Sequence, residues 1–309
     1  MGNAGLGHMH RGAFKADGLL LLAAAIWGTG FVAQRLGMDH VGPMTFNGIR
    51  FAIGVFVLIP VIYMRRPMGD IPGSDGCVSH ASVYVFGGGL AGLVVFVAAG
   101  LQQIGLVYTT AGKAGFITGL YVVFVPIMGL FIRRRVGAPT WLGAGLAMVG
   151  LYFLSVTGSL HVNRGDWFVL TCALFWALHV LIIGSLAPRT DPVKLAAVQF
   201  AVASVLSGIA AALTEEITGD GIVGARWAIL YSGALSVAVA FTLQVVAQRD
   251  APPAHAAILL SLEAVFAAGT GWLLLSETLG VRGILGCTLM LAGSLASQVR
   301  RPSHTIPVP

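Results

Sequence analysis

Ten side chains able to carry charge or hydrogen-bond stand within or at the ends of apolar stretches of this 309-residue chain: Trp27, Arg50, Gln102, Lys113, Tyr121, Trp176, His179, Gln244, His255 and Glu263. Such groups are costly inside a bilayer unless paired or hydrated, so each is a functional candidate. Glu263 is the strongest, as a proton carrier or a contact to cargo, with a hydrogen bond to a neighbouring helix as its structural alternative. His255, Leu259, Glu263, Phe266 and Thr270 fall on one face of a regular helix. Arg50 can neutralise Glu263 or a substrate carboxylate, or anchor at the headgroups. Lys113 can attract an anion or extend into the interface. Tyr121 can hydrogen-bond cargo or stack on it, and Trp27 and Trp176 are candidate cavity walls. His179 suits a proton relay, and Gln102 and Gln244 must find polar partners.

One motif points elsewhere. Residues 27–33, "WGTGFVA", contain Gly-x-Gly-x-x-Ala, the spacing of a dinucleotide-binding turn. That turn requires a strand before it and a helix after it. Here the motif lies inside an apolar block, where open backbone would lack water. The reading that fits is close helix packing, and no cofactor is expected.

The elements that position these residues follow from composition. Hydrophobic residues make up 57% and charged residues 10%, with mean hydropathy +0.87. A soluble domain carries about 25% charged residues. A bilayer span needs about 20 mostly apolar residues, and the chain reads as ten such blocks: 18–34, 45–63, 83–105, 111–132, 141–156, 167–186, 194–213, 225–247, 254–275 and 283–299. The fold expected is all-α, membrane-embedded, with short connections and no soluble domain. The apolar start is read as a retained helix, since no Ala-x-Ala cleavage site follows. Cys77, Cys172 and Cys287 are too few and too scattered for a disulfide framework or metal cluster.

With the N-terminus in the cytoplasm, ten spans place twelve Lys and Arg inside and six outside. Both termini then face the cytoplasm. The net charge of +6 is largely this asymmetry together with attraction to anionic lipid, and nucleic acid is not an expected partner.

The halves resemble each other. Asp17 and Trp27 are spaced like Asp166 and Trp176, at an offset of 149. "LQQIGLVYTTAGKAGFITGLYVVF" from Leu101 aligns with "LQVVAQRDAPPAHAAILLSLEAVF" from Leu243, at an offset of 142. This alignment makes Lys113 the mate of His255, Tyr121 the mate of Glu263, and Gln102 the mate of Gln244. Gly143 and Gly150 match Gly286 and Gly293 after a one-residue slip, and read as a helix-contact seam or a homodimer face. Five spans per half would invert the second copy relative to the first, a recurrent plan of secondary transporters.

"IWGTGFVAQ", "NGIRFAIG", "TTAGKAGFITGLYVVFVP" and "LLSLEAVFAAGTGWLLLSETL" resemble the EamA-type proteins of the drug/metabolite transporter superfamily over residues 18–299. The resemblance implies two inverted five-helix repeats, here 18–157 and 166–299 between cytoplasmic tails 1–17 and 300–309. It also implies an inner-membrane location and export or exchange of small metabolites. Where the family commonly has Leu-Glu-Pro, this chain has Leu262-Glu263-Ala264 and carries a proline at Pro126 in the first repeat instead. The expected partners are a small-molecule metabolite and membrane lipid. The expected activity is secondary active transport by alternating access, with proton coupling through Glu263 as a sub-hypothesis. A passive channel is the alternative. An intramembrane enzyme is the rival from another class, but the spans hold no His-Glu-x-x-His, Gly-x-Ser-x-Gly or aspartate pair.

Overall fold

The computed structural model describes residues 3–64, 83–134, 136–155, 163–275 and 280–298. Arg65, Arg66, Arg135, Arg300, Arg301 and Cys77 lie outside them. The described residues contain helices and no strand. Among the described residues eight helices are long and apolar enough to cross a membrane, which makes this a multi-pass membrane protein.

The helices in chain order are α1 (Asn3–Gly37), α2 (Pro43–Met64), α3 (Val83–Tyr108), α4 (Ala111–Phe131), α5 (Ala138–Ser155), α6 (Arg164–Leu186), α7 (Pro192–Thr214), α8 (Arg226–Ala247), α9 (253–275) and α10 (Val281–Gln298). The first helix runs back to Asn3, through residues the sequence reading assigned to a tail. Polar caps start several helices. Asn163 and Asp166 form a reciprocal capping box at α6. Asp191 accepts from the amides of Val193 and Lys194 at α7. Glu215, at the far end of α7, accepts from the amides of Met44 and Thr45 and from the Thr45 hydroxyl, at 2.7–2.8 Å. These acceptors satisfy amide groups that a helix start leaves unpaired.

Two helices are broken, at matched positions. α4 consists of Ala111–Gly119 and Tyr121–Phe131, and α9 of Pro253–Leu260 and Glu263–Leu275. At each break the chain tightens to three-residue hydrogen bonds, Leu120 to Ile117 and Leu262 to Leu259, both 3.2 Å. The sequence showed no proline in the ninth span, yet α9 breaks there; a 3₁₀ turn suffices, and the break in α4 precedes Pro126. The breaks correct the expectation of one shared face from His255 to Thr270. Glu263 turns into the interior, His255 turns to α1 and α10, and Phe266 is 37% exposed. α8 departs from regularity differently, with a π-helical stretch at Ser232–Phe241.

The helices pair reciprocally. α5 packs along α10 in the most extensive helix contact among the described residues, and α2 packs along α7. α3 packs on α6 as α8 packs on α1, α3 on α7 as α8 on α2, and α4 on α6 as α9 on α1. In the α5–α10 contact Gly143 lies against Gly293 and Gly150 against Gly286; a Cβ on any of the four would come within 2.6–2.7 Å of the opposing carbonyl oxygen. The seam read from sequence is therefore intramolecular, and these glycines are not available as a homodimer face.

This close approach predicts that Gly150→Ala lowers the thermal unfolding temperature in detergent, because the helices must part at an overpacking cost of about 1–3 kcal/mol. Gly145→Ala, on the same helix with open space at its Cβ, does not lower the temperature and raises it slightly, as alanine is the better helix former.

Candidate functional site

A pocket of about 540 Å³, its mouth included, lies among α1, α2, α3, α4, α6, α8 and α9. Each element places a side chain there for a local reason. The breaks put Tyr121 and Glu263 at the first residues of the second halves of α4 and α9. The π-helical stretch of α8 carries Ser236 and Phe241 to the wall. Gly28 lets α1 approach so closely that a Cβ there would lie 2.5 Å from the Glu263 carbonyl oxygen. The Gly-x-Gly-x-x-Ala stretch is thus a helix-packing feature, and it brings neighbouring Trp27 to the pocket.

Both pocket ends of the polarity scale are buried. Glu263 is 4% exposed and accepts a hydrogen bond from the Tyr121 hydroxyl at 3.5 Å. Arg50, also 4% exposed, lies about two turns inside α2, away from any helix end. Its guanidinium stacks near the rings of Phe51 and Phe46, 5.1 and 5.5 Å from their centroids. Its Nε is unpartnered, and no carboxylate among the described residues pairs with it. Arg50 and Glu263 therefore share one pocket without neutralising each other.

Amides and aromatic rings complete the wall. The Trp176 indole donates to Gln102 Oε1 at 2.8 Å, and Gln102 Nε2 donates to Gln34 Oε1 at 3.1 Å. The Trp27 indole donates to the Ser236 carbonyl at 3.1 Å. Gln244 Nε2 donates to Gln248 at 2.9 Å, leaving Oε1 unpartnered. His179 Nε2 meets Gln199 Oε1 at 2.8 Å, and Nδ1 has no partner. Phe241 is the hub of the rings, with its centroid 4.7 Å from Trp27, 5.5 Å from Trp176 and 6.0 Å from His179. The pocket offers a cation, a carboxyl group, unfilled polar atoms and flat aromatic faces. These suit a small molecule with charged ends and an apolar body.

The structure brings eight of the ten sequence candidates to this pocket: Trp27, Arg50, Gln102, Tyr121, Trp176, His179, Gln244 and Glu263. Lys113 and His255 stand apart. Lys113 pairs with Asp166 at 2.5 Å, so it does not simply extend into the interface. His255 contacts Asp17 at 2.8 Å and Ser297 at 3.0 Å. Sequence reasoning missed Phe31, Gln34, Thr118, Ser236 and Phe241. Gln34 carried a signal, an amide one turn beyond Gly30 in an apolar block. Phe241 carried none, since a phenylalanine in an apolar helix reads as packing.

Phe241→Ala is expected to weaken binding of solutes with an aromatic body more than that of small polar solutes, because it removes the hub that holds both indoles. Paired dissociation constants for the two solute types would check this.

Comparison with known proteins agrees with this architecture. Residues 14–156 and 163–297 each match the EamA-like transporter family. An uncharacterized transporter of Archaeoglobus fulgidus is 32% identical over 295 residues, covering 92% of this chain and 86% of the relative. The uncharacterized transporter YoaV of Bacillus subtilis is 22% identical over 89% of this chain and 93% of its own. A probable amino-acid metabolite efflux pump of Salmonella typhimurium is 25% identical over about half of each chain, 53% and 52%. A solved crystal structure superposes with a TM-score of 0.76 at 18% identity, covering 92% of this chain and 98% of the other, and shares the fold. With both halves matched and a relative above 30% identity along nearly the whole length, this chain belongs to the EamA-like transporter family of the drug/metabolite transporter superfamily.

Proposed function

We propose that this protein is a secondary active carrier, exporting or exchanging small amphipathic metabolites across the cytoplasmic membrane by alternating access. The cargo class is a zwitterion with an apolar or aromatic body, of the amino-acid kind. The observation that carries this reading is the coexistence of Arg50 and Glu263 in one aromatic-walled pocket, each without an ionic partner among the described residues. An uncompensated buried cation is destabilising; an arriving carboxylate compensates Arg50, and an arriving ammonium donates to the Glu263 carboxyl group. The name of the Salmonella typhimurium relative supports the same solute class.

The mechanism proposed is an exchange between two inverted five-helix halves, α1–α5 and α6–α10, around a pseudo-two-fold axis. Its support lies in the contacts. A two-fold axis requires that if residue i touches the mate of j, then j touches the mate of i. Gly143 with Gly293 and Gly150 with Gly286 obey this rule, as do the helix pairings. Tyr121 and Glu263, mates of each other, meet where such an axis would pass. Discontinuous helices at mid-depth are a recurrent feature of transporter sites. The bias of Lys and Arg in the sequence supports an orientation with both termini in the cytoplasm. Glu263 carries the proton if transport is coupled.

Reconstituted protein tests this by counterflow of labelled phenylalanine and related zwitterions. Saturable counterflow is expected. Linear, unsaturable flux would mean a channel, and a chemically altered solute without net movement would mean an enzyme.

A further inference from the structure

The two halves differ at one matched pair of positions beside the pocket. The offset of 149 that relates Trp27 to Trp176 continues into α2 and α7, where it relates Phe51 to Phe200, and these two mates meet with ring centroids 6.1 Å apart. At the same offset Gly30 is the mate of His179 and Arg50 the mate of Gln199. In the second half this pair is filled. The His179 imidazole meets Gln199 Oε1 at 2.8 Å, and both side chains are fully buried. His179 lines the pocket, whereas Gln199 stands behind it. In the first half a glycine takes the place of that ring. Arg50, unlike its mate, opens on the pocket, with Nε unpartnered.

The groups around Gly30 are hydrogen-bond donors. A Cβ there would lie 3.1 Å from Ser236 Oγ and 3.7 Å from Gln34 Nε2. Ser236 and Gln34 are buried and line the pocket beside Arg50. Ser236 accepts from the Trp27 indole through its carbonyl, and its hydroxyl makes no hydrogen bond among the described residues. Gln34 Nε2 donates to the Gly30 carbonyl at 3.4 Å, which leaves its second N–H. Ser236 follows Gly233 by one turn of α8, and a Cβ on Gly233 would come 3.0 Å from the Arg50 carbonyl oxygen. Hydroxyl and guanidinium therefore stand at one level of the pocket. We infer, resting on the carrier reading, that the cargo's carboxylate sits beside Gly30, where the other half has its imidazole, held by Arg50, the Ser236 hydroxyl and the second N–H of Gln34. A carboxylate has lone pairs for all of them, and a guanidinium can take it with two parallel bonds. Gly30 is then the residue that admits acids, because a side chain there would cover Arg50 as His179 covers Gln199.

The test uses purified full-length protein and dissociation constants for three solutes. They are phenylalanine, phenylpropionate, which lacks the ammonium, and phenethylamine, which lacks the carboxylate. Ser236→Ala removes one donor to a charged group and weakens both acids about tenfold, while phenethylamine stays within about threefold. Gly30→Ala puts a methyl group into the same space and weakens the acids at least as much. Gly30→His combined with Arg50→Gln copies the pair of the second half; it loses both acids and keeps phenethylamine. A residue that only supported packing would weaken all three solutes alike. Ser236→Ala leaves the Gly30 backbone as it is and carries the test alone if the Gly30 variants do not fold. The inference is overturned by acids that bind Ser236→Ala as they bind wild type, or by equal losses for all three solutes. Acid binding that follows these rules in a protein without saturable counterflow would remove the carrier reading and leave the subsite standing. Saturable phenylalanine counterflow that ignores Ser236→Ala and Gly30→Ala would do the reverse. A wild-type protein that binds neither acid would overturn both.

Discussion

Arg50→Gln abolishes high-affinity binding of carboxylate-bearing solutes and at the same time raises the thermal stability of the empty protein. The two effects have opposite signs because Arg50 is a buried cation with aromatic faces beside it and no carboxylate partner among the described residues. In the empty pocket it is an uncompensated charge, and removing such a charge relieves the protein. On the proposed reading it becomes the counter-charge of the cargo in the loaded pocket. Truncating one member of a buried charge pair costs about 2–5 kcal/mol, which at about 1.4 kcal/mol per tenfold is about 30-fold in affinity or more. Arg50→Lys keeps the charge but loses the planar group, and falls between. Ligand-induced shifts of the melting temperature, read beside the melting temperature without ligand, supply both numbers. A variant that binds as wild type would remove Arg50 from the site.

Glu263→Gln has the second large effect. One proton moved per cargo across one pH unit supplies about 1.4 kcal/mol, enough for about a tenfold concentration ratio. A carboxyl group that takes a proton at one face and yields it at the other can deliver this; an amide cannot. Accumulation driven by a pH gradient is therefore expected to fall to a ratio of about one in Glu263→Gln, while counterflow of labelled against unlabelled solute continues. Tyr121→Phe, which removes the 3.5 Å hydrogen bond to Glu263, leaves the gradient response in place with a displaced pH profile. A tenfold ratio that survives Glu263→Gln would eliminate Glu263 as the proton carrier.

Much of this architecture is legible in the chain. Long apolar blocks give the helices, because lipid leaves the backbone no other economical way to satisfy its own polar groups. The glycines at 143, 150, 286 and 293 announce a close contact, since small residues let helix axes approach. Most pocket residues stand out for the same reason: an arginine, glutamate, histidine or glutamine in an apolar run needs a destination. The less legible features depend on geometry at a distance. The break in α9 has no proline to mark it, and it separates His255 from Glu263 although regular helical spacing would stack them. The sequence pairs Lys113 with His255 as mates, but that each holds an aspartate from a different helix emerges only when α4 packs on α6 and α9 on α1. Phe241 owes its place to the π-helical stretch of α8, which its own sequence does not advertise.

The central claim is that one pocket is opened to each membrane face in turn. Thr118, a buried polar residue on the pocket wall, is the place to test it. With Thr118→Cys in a protein whose other cysteines are serine, in vesicles of known orientation, a membrane-impermeant thiol reagent is applied from one face and then, in separate samples, from the other. The account predicts modification from both faces, each slowed by bound cargo. Modification from one face only, whatever the cargo, would contradict it.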